Sequence, residues 1–186
     1  MIIWTDIETT CLEVNDQDAY PLEVSVVITD DDLNELAMFS RVLRFDSEYG
    51  LSSLSDFIRE MHSANGLLYE CQEDSAVRFT DDLDAMLVDF YSQHCGGDQH
   101  PLGGSTISFD RAWLKVFFPR FHACLHYRNI DVSGVKELNK RWAPNLHELY
   151  ETTKSDVKAH RGLDDIRATL AEATLYRDEL WGYTPK

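Results

Sequence analysis

Three strand-like segments follow one another within the first 45 residues, and this succession constrains the fold more than any other feature. Residues 1–8 are rich in β-branched and aromatic side chains, and residues 23–29 and 37–45 have a similar composition. Short polar turns, including Asp30-Asp31-Asp32, separate them. Strands joined by short turns pair in the antiparallel sense, so the chain is predicted to begin with a three-strand meander.

Helical patterns dominate the rest of the sequence. Amphipathic segments predict helices from Ser55 to Ser63, after Thr80, from Phe109 to Phe118, from Val132 to Arg141 and from Arg161 to Leu180. Pro119 and Pro144 are expected to end two of them, and Leu102-Gly103-Gly104 is expected to form a buried strand. The prediction is one α/β domain over residues 1–186, with helices flanking a mixed sheet.

Charge and composition limit the possible partners. The formal net charge is −16, so most of the surface would repel a long polyanion, and any nucleic-acid substrate should be short or held locally by metal. The four cysteines are far apart and form no C-x-x-C pair, which predicts free thiols. With no membrane-length apolar run and no leader-like N-terminus, we expect a cytoplasmic protein that does not enter membranes.

Two carboxylates, Asp6 and Glu8, interrupt the most apolar part of the first segment. Their spacing places both on one face of a strand, where each raises the cost of ionising the other. A divalent cation could neutralise them, since Mg²⁺ and Mn²⁺ prefer carboxylate oxygens. Alternatively, they could form the polar outer face of an edge strand. Asp46-Ser47-Glu48 shows that the Asp-x-Glu pattern also arises by chance in this acidic chain.

Three residues further along the chain could complete a metal site. Asp110 falls at the start of a predicted helix, where a lone carboxylate also has an ordinary role in complementing the helix dipole. If the last helix begins near His160, then His160 and Asp165 can reach one pocket while Asp164 points elsewhere. A histidine beside carboxylates is suited to act as a general base.

The order of these residues resembles a known family. Asp6-x-Glu8, Asp110 and His160-x4-Asp165 match the histidine-type DEDD exonucleases, and the likeness extends over nearly the whole chain to the oligoribonucleases. It is carried by the strings WTDIETTCL, VITDDDLNEL, SFDRAWL, HYRNIDVSGVKELNKRWAP and AHRGLDDIRATLAEATLYR. The resemblance implies an RNase H-like exonuclease fold.

The resemblance also implies an activity. It suggests a 3′→5′ exoribonuclease that hydrolyses very short RNA, dinucleotides especially, to nucleoside 5′-monophosphates. Two divalent cations, Mg²⁺ or Mn²⁺, would be held by the four carboxylates, and such a pair can stabilise the attacking and leaving oxygens of an in-line displacement. His160 would be the general base.

Substrate contacts follow from the same resemblance, residue by residue. Leu12 matches a leucine that wedges against a base, and His62 matches a residue that contacts the substrate. Tyr127 and Arg128 match residues that the partner subunit of a homodimer donates, one to stack on a base and one to bind the 5′-phosphate. Thr106 and Ser133 would also surround that phosphate.

Several of these residues also have ordinary structural roles. Leu12 and Tyr127 are common core or interface residue types, and Ser133 is a common helix cap. The nearest alternative function is a histidine-type DEDD exonuclease that trims or proofreads longer RNA or DNA strands. A non-catalytic nucleotide-binding module and a purely structural protein are further alternatives.

Overall fold

A computed structural model describes residues 1–45, 48–78, 81–153 and 160–183, and it shows a sheet with helices on both faces. The strands are β1 (Ile2–Thr9), β2 (Pro21–Thr29), β3 (Glu35–Val42), β4 (Leu102–Gly104) and β5 (Asn129–Asp131). The helices are α1 (Glu48–Ser53), α2 (Asp56–Ala64), α3 (Leu67–Glu70), α4 (Asp81–Cys95), α5 (Ser108–Phe117), α6 (Pro119–Cys124), α7 (Val132–Trp142), α8 (Pro144–Thr153) and α9 (Gly162–Trp181).

The sheet has the strand order β3-β2-β1-β4-β5 and is mixed. β1 pairs antiparallel with β2, and β2 pairs antiparallel with β3, which confirms the predicted meander. β4 and β5 join on the other side of β1 in parallel. The register places Asp6 opposite Ser25 and Glu8 opposite Glu23. β1 therefore lies in the middle of the sheet.

Each face of the sheet buries its own apolar cluster. Because side chains alternate along a strand, Ile3 and Ile7 of β1 pack with residues of α4, α5 and α6 on one side. Trp4 of β1 and Val27 of β2 pack on the other side with residues of α7, α8 and α9. Asp6 and Glu8 lie two and four positions after Trp4, so their side chains point to the same face of the sheet as Trp4 does. The two carboxylates therefore belong to the face that α9 covers.

The helix predictions are confirmed in outline and corrected at their ends. Ser55 caps α2 by accepting a hydrogen bond from the Ile58 N–H. Pro119 and Pro144 do not merely end helices, since each is the first residue of a new one, α6 and α8. Proline suits this position because its missing N–H would be unpaired there anyway.

The remaining sequence-based expectations concern one short strand, the cysteines and membrane-spanning segments. β5 was not predicted, because three largely exposed residues give no periodic signal. Asp46, Ser47 and Thr80 lie outside the described residues. All four cysteines are free, as predicted. Among the described helices, none combines the length and apolar character needed to cross a membrane.

Candidate active site

The first two carboxylates project from the central strand of the sheet. β1 has hydrogen-bonded neighbours on both sides, so an edge-strand origin of Asp6 and Glu8 is wrong. Glu8 is buried and Asp6 is half-buried. Two acids in the middle of a sheet need a compensating group, because burial penalises the charged form of each.

Asp110 reaches the same strand from α5. Its carboxylate is buried, and Oδ1 accepts a hydrogen bond of 2.9 Å from the Ile7 N–H. The turn before α5 passes close to β1, since a Cβ at Gly104 would lie 3.2 Å from the Thr5 carbonyl oxygen. Asp110 also stands in the first turn of its helix, where the dipole favours a carboxylate. Its bond to β1 shows that the side chain turns inward rather than to solvent.

His160 and Asp165 complete the group. One ligand atom from each of Glu8, His160 and Asp165 lies within 4.8 Å of the other two. Asp165 stands in the first turn of α9, and Asp164 is exposed, as predicted. The last helix was predicted from Arg161 and begins at Gly162, so His160 lies two residues outside it. It precedes α9 in a left-handed conformation, with φ of 45°. The bend, and not the helical spacing, brings the imidazole to the carboxylates.

We call the four carboxylates the acidic cluster; they are Asp6, Glu8, Asp110 and Asp165. Burial and the neighbouring acids raise the pKa of Asp6 well above its ordinary value. The same causes raise the pKa of Glu8 to about 8, and burial raises that of Asp110 to about 7 although the Ile7 N–H opposes the rise. Arg161 opposes the rise at Glu8 only in part, and a group of hard carboxylate oxygens that repel one another suits Mg²⁺ or Mn²⁺. The residues present therefore fit divalent cations.

His62 lies beneath the cluster. Its ring is fully buried, and Nε2 is 3.7 Å from Oε2 of Glu8. Burial lowers the pKa of His62 to about 4, helped by the charges of His160 and Arg161. The imidazole is therefore neutral at pH 7, and the short distance to Glu8 is not an ion pair under those conditions. Leu12, which follows β1, is 76% exposed, so it is not a core residue.

A second polar group forms where the turn before α5 meets the start of α7. The Thr106 N–H donates to Oγ of Ser133 at 3.0 Å and to Oδ1 of Asp131 at 3.1 Å. Asp131 is the N-cap of α7 and also accepts from the hydroxyl of Ser133. The charge of Asp131 contributes to the raised pKa of Asp110. The structure thus brings Thr106 and Ser133 together, beside the acidic cluster.

Tyr127 and Arg128 lie on an exposed segment before β5. The side chain of Tyr127 is 74% exposed, and the guanidinium carbon of Arg128 lies 5.4 Å from its ring centroid. Arg111 of α5 supports this segment by donating to Oδ1 of Asn129 at 2.6 Å and to the carbonyl oxygen of His126 at 2.9 Å. Within the described part of the chain, neither Tyr127 nor Arg128 forms a hydrogen bond or ion pair with the acidic cluster.

Sequence reasoning missed several residues around the site. Glu23, Asn65, Arg161 and Asp131 hold its functional side chains in place. Glu23 gave a usable signal, because it is an acid in the largely apolar second strand. Asp131 gave the ordinary signal of a helix N-cap, since it directly precedes the predicted helix at Val132. Asn65 and Arg161 gave none, because their partners are distant in sequence.

Comparisons with known proteins define the class. Residues 3–173 match the RNase_T family, described as an exonuclease. Among solved structures, S. pombe Pop2p in its Mg²⁺- and Mn²⁺-bound form shares the fold, with a TM-score of 0.70 at 10% identity over 100% of this chain and 86% of that one. E. coli exonuclease I in complex with single-stranded DNA has a TM-score of 0.67 at 15% identity, and this chain spans 40% of its length. The fold is that of an RNase H-like exonuclease.

Sequence relatives narrow the class to a family. The oligoribonuclease of Corynebacterium diphtheriae is 36% identical over 95% of this chain and 81% of its own length. The oligoribonuclease of Tropheryma whipplei is 35% identical over 95% of this chain and 91% of its own length. The mitochondrial oligoribonuclease of Homo sapiens is 33% identical over 97% of this chain and 73% of its own length. The chain belongs to the oligoribonuclease family.

Proposed function

We propose that this chain is a metal-dependent 3′→5′ exoribonuclease that hydrolyses very short RNA, dinucleotides especially, to nucleoside 5′-monophosphates. One observation carries the proposal: four carboxylates from β1, α5 and α9 converge in a largely buried position, with His160 at their edge. A structural protein gains nothing from such a group, because its mutual repulsion is destabilising unless cations bind.

The acidic cluster would hold two divalent cations, with Asp6, whose pKa the other three acids all raise, as our candidate for the ligand shared between them. Such cations supply charge stabilisation for the attacking and leaving oxygens of an in-line phosphoryl displacement. His160 would accept the proton of the attacking water. An imidazole is the side chain most often used as a general base, and this one stands at the edge of the cluster.

Substrate binding would use the residues around the cluster. Leu12 would wedge against a base at the end of β1, and its exposure supports such a contact. His62 would contact the substrate at the floor of the site next to Glu8; because its ring is fully buried, this contact requires the side chains above it to move. Thr106 and Ser133, which are hydrogen-bonded to each other, would surround the 5′-phosphate.

The remaining two contacts would come from a second subunit. We infer a homodimer in which Tyr127 of one chain stacks on a base in the other chain's site and Arg128 binds its 5′-phosphate. High exposure of Tyr127 and the stacked guanidinium of Arg128 support this role, since both groups are presented outward. Stacking of an aromatic ring on a base contributes about 1–3 kcal/mol, a large share of the affinity for a dinucleotide. A cytoplasmic location is part of the same proposal.

The decisive experiment compares substrate lengths. The purified protein is incubated with Mn²⁺ or Mg²⁺ and 5′-phosphorylated RNAs of two to about twenty nucleotides, and the products are resolved by chromatography. We expect nucleoside 5′-monophosphates, with the dinucleotide turned over fastest, because a phosphate pocket that Arg128 of the second subunit would close, together with a strongly acidic surface, disfavours long chains. Preference for the long strands would instead favour the trimming or proofreading alternative. Absence of any metal-dependent hydrolysis would favour the binding module.

A further inference from the structure

His160 has a backbone conformation that needs external support. Its φ of 45° lies in the left-handed region, which is unfavourable for a residue with a Cβ. Such conformations persist where the surrounding structure holds them, and they concentrate at functional sites. The carbonyl oxygen of His160 accepts a hydrogen bond of 2.6 Å from Nδ2 of Asn65. One side of the bend is therefore fixed from the segment between α2 and α3.

The next residue fixes the other side of the bend. Arg161 donates from Nη1 and Nη2 to the two carboxylate oxygens of Glu70, each at 2.8 Å. It also donates from Nε to Oε2 of Glu23 at 3.2 Å. A planar guanidinium that bridges two carboxylates loses its rotational freedom and fixes the backbone to which it is attached. We call these three residues the Arg161 clamp.

Glu23 connects the clamp to the start of α9. Its Oε2 also accepts a hydrogen bond of 3.1 Å from the Gly162 N–H. Gly162 itself packs against the sheet, because a Cβ there would lie 2.4 Å from Oγ of Ser25. Glu23 is only 3% exposed and lies opposite Glu8, so the clamp begins inside the active site and ends at Glu70 on its rim.

We propose that Arg161 is a positioning residue, which acts through His160 by holding the left-handed bend against Glu23 and Glu70. The inference rests on the proposed function, because His160 must be the base for its position to affect turnover. Arg161 does not need to touch the substrate. Its guanidinium is committed to two carboxylates, and the group that it places is the imidazole one residue earlier.

The test compares Arg161→Met with a matched control on the helix that follows it. Arg167 of α9 forms a similar two-pronged ion pair with Glu35, but away from the acidic cluster and in a more exposed position. We expect Arg161→Met to lower kcat for a 5′-phosphorylated dinucleotide by about tenfold to a hundredfold, since displacements near 1 Å cost up to that much. KM and the affinity for Mn²⁺ should stay within about twofold. Arg167→Met should leave kcat unchanged, and Arg161→Lys should restore part of it.

A double-variant cycle separates a positioning role from a general loss of structure. If Arg161 acts through His160, adding Arg161→Met to His160→Ala should lower the residual turnover no further. Additive losses, or a wild-type kcat in Arg161→Met, would overturn the inference.

Should Arg161→Met fail to fold, Glu70→Gln serves instead, because it opens the clamp only at its exposed end. Its kcat should fall severalfold, and an unchanged kcat would again overturn the inference. Failure of the proposed function is distinguishable, because the wild-type protein would then not hydrolyse the dinucleotide at all.

Discussion

Glu8 and Asp110 are buried acids with pKa values of about 8 and about 7, against ordinary values of 4.5 and 3.8. Between roughly pH 4 and pH 8 the folded chain therefore holds more protons on these groups than the unfolded chain does. The free energy of unfolding of the metal-free protein must then fall as the pH rises through this window. A bound divalent cation removes the effect, because it stabilises the same carboxylates in their charged form.

This linkage predicts how metal changes the melting temperature. In EDTA, Tm should decrease from pH 6 to pH 8, and the increase caused by Mn²⁺ should be larger at pH 8 than at pH 6. A cation at about 100 times its Kd adds about 2.7 kcal/mol, which raises Tm by about 5–10 °C for a chain of this size. Glu8→Gln is the matched control, since it should raise Tm in EDTA at pH 8 and weaken the response to Mn²⁺. Equal Mn²⁺ responses at both pH values would contradict the linkage.

The role proposed for His160 is tested by comparing metal binding with turnover in a variant. His160→Ala should keep Mn²⁺ binding largely intact, because the acids supply the hard oxygen ligands, while kcat falls about 10²–10⁴-fold with loss of the general base. Isothermal titration with Mn²⁺ and turnover of a dinucleotide measure the two effects. Asp165→Asn should lose both Mn²⁺ binding and turnover, because it removes one of the acids. Turnover near the wild-type value in His160→Ala would refute the assignment.

At the level of elements, a few short segments converge on one end of the sheet. β1 supplies two acids, the start of α5 supplies one, and the start of α9 supplies the last. His160 lies in the bend directly before α9. The exposed segment that carries Tyr127 and Arg128 is held separately, by hydrogen bonds from Arg111. The acidic cluster and the segment with Tyr127 and Arg128 thus have different supports, so the catalytic role proposed for the one and the substrate contacts proposed for the other can be disturbed one at a time.

Arg111 should therefore affect binding more than chemistry. Arg111→Met removes the hydrogen bonds to His126 and Asn129, so we expect a higher KM for the 5′-phosphorylated dinucleotide, by about tenfold for the loss of about 1.4 kcal/mol, with kcat nearly unchanged. Arg128→Ala is the reference, and it should weaken phosphorylated dinucleotides far more than unphosphorylated ones. A fall in kcat at constant KM in Arg111→Met would show that the segment serves another role.

The whole molecule combines a formal net charge of −16 with a site for a polyanionic substrate. Long RNA would be repelled by most of the surface, whereas a dinucleotide presents little charge beyond the groups that the proposed cations and the proposed Arg128 contact would neutralise. Donation of Arg128 from a second subunit would make each site depend on both chains, as expected for a two-fold symmetric dimer.

Mixed dimers test this dependence. Asp165→Asn and Arg128→Ala should each be impaired on a 5′-phosphorylated dinucleotide when prepared alone. In a mixed dimer, the site with intact acids receives Arg128 from the other chain, so mixing by unfolding and refolding should restore turnover. Asp165→Asn unfolded and refolded by itself is the control, and it should regain nothing. Mixtures no more active than the sum of their parts would show that Arg128 acts within its own chain.

The sequence alone determined the meander, most helices and the identity of all five catalytic candidates. The elements were readable because strand and helix periodicities are local, and Asp6 and Glu8 because acids in an apolar strand are conspicuous. Asp110, His160 and Asp165 were joined to them by their positions near predicted helix starts and by the resemblance to the histidine-type DEDD exonucleases. The helix-opening roles of Pro119 and Pro144 were misjudged, since proline ends one helix and begins another with the same geometry. The three-residue β5 gave no signal of its own.

Only the tertiary structure decided how these residues become a site. It placed β1 in the centre of the sheet, which excludes a solvated outer face for Asp6 and Glu8. It showed that His160 lies in a left-handed bend before α9, and it revealed Glu23, Arg161 and Glu70 as the groups around that bend. Contacts of this kind join residues between 91 and 138 positions apart, and no local pattern encodes them. Residue types fix which chemistry is possible, but long-range packing fixes the distances at which that chemistry can occur.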